Sequence, residues 1–187
     1  MSDFRIKIEN VVAFVVLGVK VPLNVLVAKV ENTEYEPEQF PGLVYRIPEP
    51  RAAALIFSSG KIVCTGAKNI EKAKEAISKV VSKIRSAGIK VPTNYHVEVE
   101  NIVASSKINN KLNLEEITFA LENAEYEPEQ FPGLVYRISE PRVAFLLFSS
   151  GKIICTGARN VKDVHVALAK LKERLSSIGI KVRPATD

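Results

Sequence analysis

The groups that could do covalent chemistry in this chain come in matched pairs, and none has the partner such chemistry needs. Glu36 and Glu38 stand in a proline-flanked stretch, and Glu127 and Glu129 stand in an identical one. General acid–base work needs two groups whose surroundings hold their pKa values apart. These carboxylates have no histidine beside them, so they read as a protein-contact surface or a solubilising turn. Ser58-Ser59-Gly60-Lys61 has the look of a phosphate loop, but Leu55 stands where that loop needs its first glycine and Ile62 where it needs Ser or Thr. His96 and His165 occupy unrelated positions, and neither has neighbours at metal-ligand spacing. Cys64 and Cys155 lie inside apolar strands and read as small hydrophobes in a reducing compartment. The expectation is a protein with no catalytic residue, metal or cofactor, whose chemistry is non-covalent recognition.

The pairing of these groups follows from a duplication. Tyr35-Glu-Pro-Glu-Gln-Phe-Pro-Gly-Leu-Val-Tyr-Arg-Ile47 recurs at Tyr126 to Ile138, an offset of 91 residues (126 − 35). The register then holds through Phe57-Ser-Ser-Gly-Lys61 and Phe148-Ser-Ser-Gly-Lys152 to Cys64-Thr-Gly-Ala67 and Cys155-Thr-Gly-Ala158. Between Glu31–Asn69 and Glu122–Asn160 only seven pairs differ, among them Ile56/Leu147, Val63/Ile154 and Lys68/Arg159. A repeat this long is a duplicated half-domain, not a solenoid unit. Residues 1–92 and 93–187 are therefore read as two halves of a pseudo-dimer.

Each half reads the same way. Arg5 to Val12 and His96 to Val103 alternate as strands. Pro22 to Val30 has the proline start of a short helix, and Asn113-Leu114-Glu115-Glu116 makes a capping box ahead of Ile117, Ala120 and Leu121. Tight loops follow around Phe40 and Phe131. Leu43–Ile47, Ala52–Ser58 and Lys61–Thr65 then read as strands, with turns at Glu49-Pro50 and Ser59-Gly60. The second half repeats this plan from Leu134 to Thr156. Ile70, Ala73, Ile77, Val80 and Ile84 keep helical spacing between an Asn69 cap and a Gly88 stop, as do Val161, Val164, Leu168, Leu171 and Leu175 between Asn160 and Gly179.

Two amphipathic helices per half can cover one face of a sheet. In Ala53-Ala54-Leu55-Ile56-Phe57 and Ile62-Val63-Cys64-Thr65 both parities are largely apolar, which normally means burial on both faces. The second face is therefore buried by the other half or by another molecule, or it is an exposed functional surface.

Three sets of residues narrow the choice. They are Glu9-Asn10-Val11-Val12-Ala13 with Glu100-Asn101-Ile102-Val103-Ala104, the two Tyr-Glu-Pro-Glu-Gln-Phe-Pro-Gly loops, and Leu55-Ile-Phe-Ser-Ser-Gly-Lys-Ile-Val-Cys-Thr-Gly-Ala-Lys68 with its copy. Over almost its whole length the chain resembles the TATA-box-binding proteins. The resemblance implies an α+β fold, a pseudo-twofold saddle of two tandem repeats with a curved ten-stranded antiparallel sheet and four helices on its convex face. Double-stranded promoter DNA would lie under the concave face, read through its minor groove.

The resemblance also assigns roles. Phe40 with Phe57 and Phe131 with Phe148 would enter the base stack at the two ends of the site and kink it. Period two places Leu55, Val63, Leu146 and Ile154 on one face, which Val12 and Val103 should join as an apolar floor. Asn10, Thr65, Asn101 and Thr156 would donate to base acceptors. Guanine's amino group would be buried unpaired against such a floor, at a cost of about 1–3 kcal/mol. Arg46, Lys61, Lys68, Arg137, Lys152 and Arg159 match phosphate-contacting positions, and Glu127, Glu129 and Gln130 match the loop that binds transcription factor B. Eukaryotic members have leucine at Gln130 and a basic first loop where Glu36 and Glu38 are acidic. The implied protein is therefore of archaeal type, nucleoid-associated in the cytoplasm (nuclear in a eukaryote), recruiting transcription factor B and RNA polymerase. Pairing of DNA-free molecules into a weak homodimer is left open.

Bulk properties agree. The 187 residues are 47% hydrophobic, enough for a sizeable core, and the net charge of +5 permits a polyanionic partner. No apolar run approaches the roughly 18 residues of a membrane span, and Met1 to Arg5 lack the apolar core of an export signal. The competing reading is a module whose apolar sheet face grips a lipid or peptide. Salt separates the two, because DNA binding weakens steeply as salt rises and lipid binding does not.

Overall fold

A computed structural model describes residues 5–183; the first four residues, where an export signal was sought, lie outside them. Among the described residues the chain is α+β, with ten strands and four helices arranged as the same seven elements twice. The first series is β1 (Lys7–Val16), α1 (Leu23–Lys29), β2 (Thr33–Glu34), β3 (Leu43–Ile47), β4 (Ala52–Ile56), β5 (Lys61–Ala67) and α2 (Ile70–Ser86). The second is β6 (Glu98–Lys107), α3 (Leu114–Ala120), β7 (Ala124–Glu125), β8 (Leu134–Ser139), β9 (Arg142–Leu147), β10 (Lys152–Ala158) and α4 (Val161–Ser177).

The residues form two compact units, Asn10–Glu100 and Asn101 onward with the stretch that ends at Glu9. In the first, antiparallel strands lie in the order β2-β3-β4-β5-β1; in the second the order is β6-β10-β9-β8-β7. The stretch before Asn10 is tied into the second unit, where the Ser106 hydroxyl donates to the Arg5 carbonyl at 2.9 Å and the Ser105 hydroxyl to Glu9 Oε1 at 2.7 Å.

Local chemistry accounts for the helices. Asn69, Asn113 and Asn160 each hold extended backbone and accept from an N–H three residues on, at 2.7, 3.2 and 2.8 Å, satisfying a donor the helix cannot. Pro22 stands at the N-cap of α1. The apolar stripe of α2, Ala73, Ile77, Val80 and Ile84, is buried against β4 and β5; the α4 stripe, Val164, Leu168, Leu171 and Leu175, is buried likewise beside β10. The strands differ from expectation at their ends. β1 and β6 run past Val12 and Val103 to Val16 and Lys107, because β5 and β10 offer them partners that far. β4 stops at Ile56, where Phe57 N–H turns back to the Lys61 carbonyl at 2.9 Å.

Parity, ambiguous in the sequence, is settled by packing. Val11, Ala13, Val15, Leu43, Tyr45, Ala54, Ile56, Ile62 and Cys64 are buried on the helix side. Their neighbours Val12, Phe14, Val44, Leu55, Val63 and Thr65 face the other way and stay half-exposed, as do Val103, Val135, Leu146, Ile154 and Thr156 in the second unit.

Candidate nucleic-acid interface

The open face of each unit is ordered by strand register. Residues aligned on adjacent strands share a face. In the first unit Phe14 aligns with Val63, Val63 with Leu55, and Leu55 with Val44. The second unit has the row Ser105, Ile154, Leu146, Val135. A parallel row sets Thr65 beside Ala53 and Arg46, and its counterpart sets Val103, Thr156, Ala144 and Arg137 in line. Sequence reasoning found Leu55, Val63, Leu146 and Ile154 but passed over Val44 and Val135. Their signal was present, since Leu43, Tyr45 and Ile47 alternate with Val44 and Arg46.

At the end of each apolar row stands a pair of phenylalanines. The rings of Phe40 and Phe57 meet edge-to-face with centroids 5.9 Å apart, and Phe131 and Phe148 repeat this at 5.9 Å. Phe40 and Phe131 are 39% and 40% exposed, unusual for a ring and enough to make each an apolar projection in need of a cover. Two backbone devices aim them. In the loop, the Glu36 carbonyl accepts from both Gln39 and Phe40 N–H, as Glu127 does from Gln130 and Phe131. In the hairpin, Gly60 has φ +93°, and a Cβ there would stand 2.1 Å from the Val19 carbonyl oxygen, so only glycine closes the turn that carries Phe57.

The asparagines are engaged with their strand neighbours. Gly66 N–H donates to Asn10 Oδ1 at 2.7 Å, which fixes the amide orientation and turns Nδ2 toward Thr65 Oγ1 at 3.1 Å. Asn101 repeats this with Gly157 at 2.6 Å and Thr156 at 3.1 Å. Each lies where β1 or β6 slips its register against β5 or β10. Each asparagine thus ties the strand ladder together beside the irregularity. With its oxygen accepting from the asparagine, the threonine hydroxyl has its own proton to give, and Nδ2 keeps a second one. Without a ligand the Thr156 hydroxyl has an internal acceptor, Asn101 Oδ1, at 3.4 Å. Each unit therefore presents donors set in apolar surroundings, a match for a surface that shows only acceptors.

Cations border the face. Arg46 and Arg137 are exposed at the ends of their rows, Arg137 with Glu125 Oε2 at 3.9 Å. Lys68 and Arg159 are exposed between the last strand and the long helix of each unit. Lys61 lies over the Phe14 ring at 4.9 Å, whereas its copy Lys152 has Ser105 in the ring's place. Glu127, Glu129 and Gln130 are exposed on their loop. Burial pushes the thiols of Cys64 and Cys155 up to about 11, the behaviour of core groups and not of nucleophiles. Among the described residues no group of three or more His, Cys, Asp and Glu could hold a metal, and no helix is long and apolar enough to cross a membrane.

Comparison with known proteins gives a consistent result. The family described as transcription factor TFIID (or TATA-binding protein, TBP) matches twice, at residues 5–87 and 96–178. The chain is 49% identical to a TATA-box-binding protein of Methanothermobacter thermautotrophicus over 180 residues, covering 96% of this chain and 99% of that one. It is 48% identical to that of Archaeoglobus fulgidus over 182 residues, covering 96% and 100%. Its fold is similar to the solved structure of Methanococcus jannaschii TBP, with a TM-score of 0.85 and 45% identity over 92% of this chain and 98% of that one.

Proposed function

Because the chain belongs to the TATA-box-binding proteins, a family of non-enzymatic general transcription factors, we propose that its open sheet faces bind the minor groove of A·T-rich promoter DNA and kink it by insertion of the phenylalanine pairs. The observation that carries this reading is the apolar row of each unit, half-exposed and ending in two edge-to-face rings.

The energetics favour the reading. Unstacking a base step costs a few kcal/mol. Covering a phenylalanine returns about 1.5–3 kcal/mol, and a widened groove brings the remaining apolar row against the base edges. Selectivity comes from the donors. A·T pairs show only N3 and O2 acceptors in the minor groove, which the Asn10–Thr65 and Asn101–Thr156 pairs complement. A G·C pair would press guanine's amino donor against donors and methyl groups, at about 1–3 kcal/mol. Readily deformed TA steps add a preference at the kinks. Arg46, Lys61, Lys68 and their copies would neutralise phosphates along the edges.

Further assembly belongs to the same proposal. The loop that presents Glu127, Glu129 and Gln130 is exposed and acidic, fit to receive transcription factor B and through it RNA polymerase. A weak homodimer through the same apolar faces would keep them covered without DNA. The test is a gel shift with a TATA-containing duplex and its G·C-substituted counterpart, combined with a fluorescence bending assay on Phe57→Ala and Phe148→Ala. Preference for the TATA duplex and reduced bending in both variants are expected. Equal affinity for the two duplexes, or unchanged bending in both variants, refutes the respective half of the proposal.

A further inference from the structure

The two repeats are nearly identical where they would meet bases, and they part company at one edge. In the second unit a groove of about 350 Å³ is bounded by four cations, Arg5, Lys7, Lys107 and Lys152. Three serines, Ser105, Ser106 and Ser150, complete its wall. Lys107 and Lys152 are register partners, and Arg5 is held in place through its carbonyl by the Ser106 hydroxyl at 2.9 Å. Glu9 lies 3.8 Å from Lys7 Nζ and accepts from the Ser105 hydroxyl, while Lys107 and Lys152 stand exposed on the groove's other side.

The duplication supplies an internal control. At the same offset the first repeat has Phe14, Val15 and Val16 for Ser105, Ser106 and Lys107, and His96 and Glu98 stand in the positions equivalent to Arg5 and Lys7. Val16 is 60% exposed, and the one cation kept there, Lys61, lies over the Phe14 ring. Four cations in the second unit thus correspond to one in the first. A guanidinium offers a fork of donors, three ammonium groups add point charge, and Ser150, whose oxygen accepts from the Lys152 N–H at 3.4 Å, keeps a hydroxyl proton to give, which is the chemistry that holds a phosphate. The groove is also continuous with the open face, since Ser105 heads the row that runs through Ile154 and Leu146.

We infer that this groove holds a backbone phosphate of the DNA flanking the A·T-rich segment, a contact made by the second unit and not by the first. The inference rests on the DNA-binding reading above. Such a contact carries no sequence information itself but fixes register and lengthens the footprint on one flank.

The experiment compares wild type with Lys7→Ala/Lys107→Val, which gives the groove the first repeat's valine, and with Lys107→Gln, which keeps the stem. Melting curves establish that the variants fold. The slope of log K against log salt on a TATA duplex should lessen by about 1 in the variants, with Lys107→Arg restoring it. Lys83→Ala, an exposed position on α2, should leave it unchanged. On a symmetric A·T site, methylphosphonates in one flank should weaken wild type by no more than about twofold, because the protein can turn round. Methylphosphonates in both flanks should bring it down to the level of the variant. Unchanged salt slopes in folded variants that still bind, an equal loss from Lys83→Ala, or a full loss from one neutralised flank would overturn the inference and leave the DNA-binding reading standing. Wild type that does not bind the duplex at all would overturn both.

Discussion

Gly133 gives the sharpest test of how the phenylalanine pairs are shaped. A Cβ added there would stand 2.8 Å from Phe131 Cε1, 3.0 Å from Phe148 Cε1 and 3.3 Å from Phe148 Cζ. Its backbone is not in the left-handed region, so alanine is tolerated by the main chain and the rings must yield. Yielding gives up the edge-to-face contact, worth about 0.5–1.5 kcal/mol. It also drives one ring off its rotamer at a similar cost. Replacing glycine recovers about 0.4–1 kcal/mol through the unfolded chain. The folded protein should therefore lose no more than about 2.6 kcal/mol. On DNA the proposed insertion predicts a loss of another kind, because a displaced pair would no longer enter one step and would forfeit the roughly 1.5–3 kcal/mol of a covered ring. At 1.4 kcal/mol per tenfold, Gly133→Ala should raise Kd for a TATA duplex by about 10- to 150-fold and remove one of two kinks. Gly42→Ala should do the same at the other end, since its Cβ would meet Phe40 and Phe57 at 2.8 and 3.0 Å. Fluorescence anisotropy reads the affinity, end-labelled energy transfer the bend, and a urea titration the stability. A folded Gly133→Ala protein that binds within twofold of wild type and bends DNA as fully would refute the wedge geometry.

Two further outcomes concern the core. Phe145 is fully buried and stacks on Tyr136 with centroids 6.2 Å apart, where the first unit has Ala54, so Phe145→Ala should cost about 3–5 kcal/mol in urea denaturation. A loss below 1 kcal/mol would contradict the close packing of that ring. The buried thiols add a pH dependence. Each stays protonated in the native protein up to about 11 but ionises near its ordinary value of 9.0 once unfolded, so the unfolded chain binds fewer protons and stability falls as pH rises between these values. Cys64→Ala/Cys155→Ala should lose stability less steeply across that window, and in wild type an alkylating reagent at pH 8 should label neither thiol until denaturant is added. Rapid labelling of the native protein would contradict their burial.

Much of this molecule was readable from residue order, and the reason is that the informative signals are local. Helical spacing in α2 and α4, asparagine caps one position before each, and glycine after each depend on residues within a few positions, so they survive reading without a fold. The duplication and the loops carrying Phe40 and Phe131 are likewise statements about order alone. The two-residue strands β2 and β7 were not readable, since two residues have no period and exist as strands only by pairing with β3 and β8. Nor could order decide which parity of Ala53-Ala54-Leu55-Ile56-Phe57 faces outward, because both are apolar; the answer came from where α2 lies. The tie between Asn10 and Thr65 spans 55 positions, and the groove joins Arg5 and Lys7 to residues about a hundred positions away. Residue types and their periodicities therefore determined the elements and the kinds of side chain that recognition would use. Long-range pairing of strands, which brings distant positions within hydrogen-bonding distance at a cost in chain entropy that only the completed core offsets, decided which of those side chains stand together and which way they face.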